Sequence, residues 1–330
     1  MSTYKKVYLR LTVLNFYKIQ KDYLKFTGND RLDLVNRLST NDVNSLKEFE
    51  WEKSILTSDK GRFVDLLTLY NFGDFVFSAC SAGNAENVIS HLGKYTIMDD
   101  FNSEDLAGTH GSILFFGDNT ADFANRMFGI DINALPGNGF YIDKLEGKDS
   151  IIAINDDALR GFIFIYAKED ETFQFKRIFS EELKTKYDIR EIFDNEFDTI
   201  RIENGIPAFG KEMTEQTNPL ECNLEKYVSY TKGCYIGQEV IARLDAYDKI
   251  SKHMIGIISD LPLPPVEDKN VRIIFEGKES GYITSTAVSK KFGNIGLGFI
   301  RTVFLDFGKN YSLKADSFES KCKIIKLPFK

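Results

Sequence analysis

Cysteine and histidine are scarce in this 330-residue sequence, and their spacing excludes several kinds of site. The four cysteines lie far apart without a C-x-x-C pair, and none of the three histidines stands at metal-ligand spacing, so neither a zinc site nor a disulfide framework is indicated. Cys80, Cys222 and Cys322 are interpreted as small buried hydrophobic residues. The isolated histidines are given no role. Reduced thiols fit a cytoplasmic protein best.

The sequence also lacks a long apolar run and an excess of positive charge. Polar or charged residues such as Arg10, Asn15 and Lys18 interrupt the amphipathic N-terminus before it reaches signal-peptide length. The apolar run GFIFIYA at 161–167 is far shorter than the roughly 20 residues of a membrane helix. A net charge of -7 argues against a surface that neutralises nucleic-acid phosphates. We therefore expect a soluble, cytoplasmic protein that binds neither membranes nor nucleic acid directly.

The composition predicts a folded protein of two or three domains. The hydrophobic share is 43%, and 28 Phe and 15 Tyr supply apolar area that offsets the chain entropy lost on folding. The length exceeds the size at which a single hydrophobic core usually stops growing.

The first 190 residues show an α+β pattern without regular strand-helix alternation. Helical spacing of Leu32, Leu34, Val35 and Leu38 follows Gly28–Asp30, and a turn at 39–42 ends that helix. Apolar runs between turns predict an antiparallel meander and a following helix, at 51–58, 62–70, 75–80 and 82–95. A second unit of similar kind is predicted from strands and helices at 111–117, 119–128, 151–155, 161–166 and 178–187.

The C-terminal region is predicted to be a small closed β-barrel that begins near Lys252. A proline-rich break lies at 261–265, and the later sequence is all-β in pattern. Its short apolar runs are VRIIFEG, SGYITSTAV, NIGLGFIRT and KCKIIKL.

One short segment, YTKGCYIGQEVIAR at 230–243, contains the strongest candidate for chemistry. Gly233 and Gly237 bracket Cys234, so the thiol is expected at a loop tip. Lys232 stands two residues away, and its ammonium would favour the thiolate. If Gln238 begins a helix, the amides of that helix would add to the effect. The alternative is an ordinary turn with a buried cysteine and a solvated lysine.

This segment resembles the K-G-C-[FYW]-x-G-Q-E signature of YgfZ-type proteins, which are relatives of the glycine cleavage system aminomethyltransferase. Other blocks resemble the same family along nearly the whole chain: GNDRLDLVNRLSTNDVNSL, SILTSDKGRFVDLLTLY, RIENGIPAFGKEMTEQTNPLE, SGYITSTAV and IGLGFIR. The resemblance implies two ferredoxin-like α+β domains and a small β-barrel around a central channel that binds folate. The implied segments are 1–95 and 191–250 for a discontinuous folate-binding domain, 96–190 for the second domain and 251–330 for the barrel.

The resemblance also implies roles for individual residues. Glu203 matches a carboxylate that accepts two hydrogen bonds from a pterin ring. Asp65 is expected to bind folate beside it, although the related transferases carry two carboxylates where this chain reads Val64-Asp65. Tyr70 and Tyr235 are expected to stack on the pterin. The signature residues Gly233, Gly237, Gln238, Glu239 and Arg243 complete the site, with Gln238 and Arg243 as folate contacts.

Three functions remain open at this point. The first is a tetrahydrofolate-binding accessory factor in iron-sulfur cluster assembly or repair, with Cys234 and Lys232 as reactive residues and Cys234 as a transient cluster ligand beside a carrier or client protein. No tightly bound metal is expected. The second is a folate-dependent aminomethyltransferase, and the lost carboxylate and Gln238, where transferases generally carry a basic residue, disfavour it. The third is a folate-sensing regulator of RNA modification.

Overall fold

The computed structural model describes residues 12–330 except 156, 247–248 and 268–269. The expectation that no signal peptide is present rests mainly on residues 1–11, which lie outside the described residues. The strands of the first sequence third are β1 (Thr12–Ile19), β2 (Lys21–Thr27), β3 (Trp51–Thr57), β4 (Phe63–Asn71), β5 (Val76–Ser81) and β6 (Asn102–Asp105). The middle strands are β7 (His110–Phe116), β8 (Phe140–Leu145), β9 (Lys148–Asn155), β10 (Gly161–Ala167) and β11 (Tyr187–Glu191). The last strands are β12 (Lys252–Ser259), β13 (Arg272–Phe275), β14 (Lys278–Ser289), β15 (Gly293–Arg301), β16 (Tyr311–Ala315) and β17 (Phe318–Ile325).

The described ranges also contain seven α-helices and four short 3-10 helices. The α-helices are α1 (Arg31–Leu38), α2 (Ala85–Tyr95), α3 (Thr120–Phe128), α4 (Glu171–Ile178), α5 (Glu181–Lys186), α6 (Asp194–Glu203) and α7 (Gln238–Ala246). None of these helices is long and apolar enough to cross a membrane.

One compact unit contains the described residues of 12–20 and 108–193. Its six-stranded sheet has the order β11-β1-β7-β10-β9-β8, and its core contains a cluster of phenylalanines around Phe115, Phe123 and Phe162. The predicted segment 1–95 would place β1 with the strands that follow it in sequence. Instead, β1 pairs with β11 and β7. Strand pairing depends on which residues become buried together, and those residues are remote in sequence.

The second unit consists of residues 21–107 and 194–330. It contains a five-stranded sheet of order β3-β4-β5-β2-β6 and a closed barrel of order β12-β15-β14-β13-β16-β17. Helices α1 and α2 share a core with the sheet, built around Leu34, Val88 and Leu67. The predicted meander is confirmed, since β3, β4 and β5 pair antiparallel in sequence order. The barrel and its start at Lys252 are confirmed as well.

The helix predicted near 178–187 is shorter than expected. Ser180 is extended and separates α4 from α5, so the helical region divides into two pieces. Ser180 is the N-cap residue of α5, and its extended backbone ends the helical path although its side chain makes no capping hydrogen bond.

Candidate functional site

The segment that contains Cys234 is held by backbone hydrogen bonds at both of its ends. The Ser229 amide donates to the Thr40 carbonyl at 2.9 Å, and the Ile236 amide donates to the Arg37 carbonyl at 2.9 Å. The Thr57 hydroxyl donates to the Ile236 carbonyl at 2.8 Å. Residues 229–236, here called the thiol loop, are therefore fixed to the end of α1 and to β3.

Lys232 supplies the central attachment of the thiol loop. Its Nζ donates to the carbonyls of Asn36, Ser39 and Asn41 at 2.6, 2.8 and 2.6 Å. These carbonyls lie at and just beyond the C-terminal end of α1, where a cation is favoured. Burial lowers the pKa of Lys232 to about 8. The ammonium that was predicted to act beside Cys234 thus serves to anchor the loop.

The structure requires glycine at only one of the two glycine positions of the signature. Gly237 has φ +80°, and a Cβ there would lie 2.6 Å from the Ser58 carbonyl oxygen and 2.9 Å from the Gly61 Cα. The close contact with the β3–β4 turn therefore requires glycine at 237. Gly233 is exposed, and a Cβ there would meet no atom within 4 Å. Neither conformation nor packing requires glycine at 233.

Among the four cysteines, all of which the structure describes, Cys234 alone is exposed. Burial raises the pKa of the Cys80 and Cys322 thiols to about 12 and that of Cys222 further in the same direction. A raised thiol pKa lowers the thiolate fraction, and the thiolate is the reactive form. Helix α7 begins at Gln238. Among the cysteines, the structure thus offers one accessible thiol, on a loop that is fixed on both sides.

Asp65 lies inside the unit rather than at a surface. Its side chain is 0% exposed and accepts hydrogen bonds from four donors. They are the Leu66 amide at 2.7 Å, the Ser81 amide at 3.0 Å, the Ser81 hydroxyl at 2.7 Å and the Asn84 side chain at 2.8 Å. These contacts fasten β4 to the turn that begins α2. A ligand cannot reach this carboxylate without displacing them.

Glu203 is anchored to different neighbours. It is half-buried at the end of α6, where its Oε1 accepts a 2.6 Å hydrogen bond from the Ser289 hydroxyl on β14. Its backbone carbonyl accepts from the Phe329 amide at 2.9 Å. The two predicted folate carboxylates therefore have separate settings, with Asp65 at the start of α2 and Glu203 against the barrel.

The other residues that were expected in the site differ in how far their side chains are exposed to solvent. Tyr70 and Tyr235 are 1% and 8% exposed, and burial raises the pKa of both phenols. Tyr70 contacts the Phe77 ring, and Tyr235 packs in the core of the thiol loop, so stacking on a pterin would need exposure that these rings lack. Gln238 is half-buried, and Glu239 and Arg243 lie exposed on α7. In the described residues, no three or more acidic, Cys or His side chains are grouped as a metal site.

The chain as a whole is similar to several known proteins. No family model matches the chain. It is 22% identical to an aminomethyltransferase of Flavobacterium psychrophilum over 92% of this chain and 83% of that protein. It is 26% identical to one of Aquifex aeolicus over 76% of this chain and 65% of that protein. A candidate transferase of the Arabidopsis thaliana chloroplast is 22% identical over 89% of this chain, which spans 66% of that protein's length.

The backbone agrees with a solved structure over almost its entire length. The glycine cleavage system aminomethyltransferase T of Bartonella henselae superposes with a TM-score of 0.81 at 16% identity, covering 97% of this chain and 87% of that chain. The chain has the aminomethyltransferase fold. The expected fold, with its closed six-stranded barrel, is thereby confirmed.

Sequence reasoning missed a buried ion pair in this aminomethyltransferase fold. Glu212 is 0% exposed and pairs with Arg201 at 3.2 Å. It also accepts from the Ala208 amide at 2.9 Å and from the hydroxyls of Thr284 and Ser285 on β14, each at 2.6 Å. A buried carboxylate with so many donors stabilises the junction of α6 and the barrel. The available signal was the pair of opposite charges at Arg201 and Glu212 within the segment 201–221.

A second missed cluster surrounds Glu221. The buried carboxylate accepts from Arg62 at 3.3 Å and from the Ser251 hydroxyl at 2.7 Å, and it lies 3.8 Å from the Lys252 ammonium. Arg62 directly follows Gly61, against which Gly237 packs. The thiol loop and the first residues of the barrel are therefore linked through one short chain of contacts.

Proposed function

We propose that this protein is a folate-binding accessory factor that presents Cys234 to an iron-sulfur cluster held by a partner protein. The observation that carries the proposal is the exposed thiol on a loop fixed by Lys232 and Gly237. Cysteine thiolate is the usual protein ligand of iron-sulfur clusters, and one thiolate leaves the other ligand positions to the partner. Gly233 agrees with this role, because an exposed glycine beside the sulfur leaves room for a bulky group.

Folate binding is supported by the similarity to aminomethyltransferases and by one carboxylate. Glu203 uses one side-chain oxygen for Ser289, and an ionised carboxylate has acceptor sites for the two adjacent N–H groups of a pterin. Gln238 and Arg243 are accessible for further contacts. Asp65, Tyr70 and Tyr235 do not fit as direct contacts, because they are buried. A bound folate would supply a carrier for one-carbon units.

Aminomethyl transfer is the second candidate, since several relatives are named aminomethyltransferases. The burial of Asp65 weighs against it, because a carboxylate held by four protein donors does not orient a substrate amine. Release of ammonia and a one-carbon folate from an aminomethylated carrier protein would favour this candidate. Folate binding without such turnover would favour the accessory role.

The decisive experiment separates the thiol from the folate site. Cys234→Ser is expected to abolish restoration of iron-sulfur enzyme activity in a strain that lacks the protein, while folate binding by the purified variant persists. Glu203→Gln is expected to weaken folate binding while the Cys234 thiol stays reactive. Cys322→Ala removes a buried thiol instead and serves as the matched control. Full restoration by Cys234→Ser would exclude the proposed role of this cysteine.

The proposed setting is the cytoplasm, and the proposed partner is an iron-sulfur carrier or client protein. A cross-linker attached at Cys234 should capture a cluster-binding protein from cells, and the Cys322→Ala variant should capture the same one.

A further inference from the structure

A charged cleft of about 610 Å³ lies at one end of the barrel. Its walls come from four adjacent strands in the order β12-β15-β14-β13. Lys252 opposes Arg301 across the first pair of strands, and Tyr282 opposes Arg272 across the last pair. Strand register thus brings these four residues side by side, and three of the four side chains are cations.

The floor of the cleft combines aromatic rings with one cation, and the mouth is polar. Phe299 in the floor is 1% exposed, and the Lys252 side chain is 16% exposed. The Lys252 ammonium lies 4.9 Å from the Phe299 ring centroid and 5.6 Å from that of Tyr282. At the mouth, the side chains of Arg272 and Glu279 are 40% and 54% exposed. A ligand would therefore place its less polar part inward and its charged part outward.

Positive charge predominates among the lining side chains. Lys252, Arg272 and Arg301 face one lining carboxylate, Glu279, and Lys252 also lies 3.8 Å from the Glu221 carboxylate outside the lining. Arg272 pairs with Glu279 at 3.3 Å, and Arg301 donates to the Glu279 carbonyl. An exposed ion pair of this kind is worth only ~0–1 kcal/mol, so an incoming carboxylate can replace the Glu279 side chain at little cost. Two guanidinium groups at the mouth offer the fork geometry that carboxylates match.

We propose that this cleft binds carboxylate groups of a small acidic molecule, with Arg272 and Arg301 as the carboxylate contacts and Tyr282 against its less polar part. The molecule meant is a folate, which ends in one or more glutamyl residues, each with a carboxylate. This identification rests on the proposed function. The volume lies within the usual range of ligand sites, roughly 300–1,000 Å³. The Glu221 cluster connects the cleft to the turn that supports the thiol loop.

Calorimetric titration of the full chain with three probes tests this assignment. The probes are tetrahydrofolate with one glutamyl residue, tetrahydrofolate with three, and tri-γ-glutamate without a pterin. The wild type is expected to bind the three-glutamyl form about tenfold more tightly than the one-glutamyl form, the effect of one added charge-assisted contact. The double variant Arg272→Gln/Arg301→Gln should lose that difference. Glu279→Gln, which removes the competing carboxylate, should tighten binding of the three-glutamyl form.

The other outcomes distinguish this inference from the proposed function. If tail length has no effect in the wild type, or if the double variant keeps the effect, the cleft is not a carboxylate site. If no folate binds the wild type, folate binding fails as a function. In that case, tri-γ-glutamate binding that the double variant loses would still support the cleft, and absence of such binding would overturn it. Inorganic phosphate in place of tri-γ-glutamate shows whether the site prefers carboxylate or accepts any oxyanion.

Discussion

The two glycines that bracket Cys234 allow a matched test of how the thiol loop is held. At Gly237 the backbone is left-handed, with φ +80°, and a Cβ would lie 2.6 Å from the Ser58 carbonyl oxygen. At Gly233 a Cβ would meet no atom within 4 Å. Substitution by alanine is therefore expected to be costly at 237 and nearly neutral at 233.

The loss of stability expected for Gly237→Ala is the sum of two free-energy costs. Left-handed backbone costs a non-glycine residue roughly 1–2 kcal/mol. Forcing a methyl group against the fixed backbone of the Ser58–Gly61 turn adds roughly 1–3 kcal/mol. Gly237→Ala should thus lower the free energy of unfolding by about 2–5 kcal/mol. Gly233→Ala should change it by less than about 1 kcal/mol, and a small gain is expected because alanine restricts the unfolded chain.

Trp51 makes the measurement specific to the unit that contains the loop. It is the single tryptophan, it lies on β3, and it is 4% exposed, so its fluorescence should change when this unit unfolds. With an m value of ~2–3 kcal/mol/M, Gly237→Ala should lower the urea midpoint by roughly 1–2 M. Equal urea midpoints for Gly237→Ala and wild type would show that the close contact at Gly237 does not stabilise the unit. A larger decrease of the midpoint in Gly233→Ala than in Gly237→Ala would show the same.

Three further predictions concern the same region. In the native protein one thiol, Cys234, should react rapidly with a bulky water-soluble reagent, whereas all four should react in denaturant, because the other three are buried. Lys232→Met should lower stability by about 1–3 kcal/mol at pH 7, because it leaves buried carbonyls without a donor. The folded pKa of Lys232, about 8, lies below the unfolded value of ~10.4, so between these values the unfolded chain binds more protons and the wild type should gain stability over Lys232→Met as pH rises. Asp65→Asn should cost about 1–3 kcal/mol in urea unfolding, because the new amide group faces hydrogen-bond donors.

Each of these predictions has a contrary result. Fast labelling of two or more thiols in the native state would contradict the burial of the other cysteines, and Cys234→Ser should abolish the fast phase. A stability difference between wild type and Lys232→Met that shrinks between pH 8 and 10 would contradict the depressed pKa. Asp59→Asn, at an exposed position of the neighbouring turn, is the control for Asp65→Asn and should be neutral. Equal effects of the two changes would contradict the buried role of Asp65.

Local patterns in the sequence predicted several elements well because they depend on neighbouring residues. Helical spacing of apolar residues located α1, and alternating apolar runs between turns located β3, β4 and β5. The barrel was recognisable from its regular short strands. The position of β1 was not predictable in this way, because Thr12–Ile19 pairs with a strand 175 residues further along the chain.

The sequence by itself determined the α+β architecture, the barrel and the segment that carries Cys234, because periodicity, turn residues and motif spacing are local properties. Only the tertiary structure decided which of the named side chains are accessible. It buried Asp65 under four hydrogen bonds, engaged the Lys232 ammonium with three carbonyls and left Cys234 exposed. Exposure and hydrogen-bond partners depend on residues that are remote in sequence. The same reason explains the cleft at Arg272 and Arg301, whose cations come together because β13 and β15 both pair with β14.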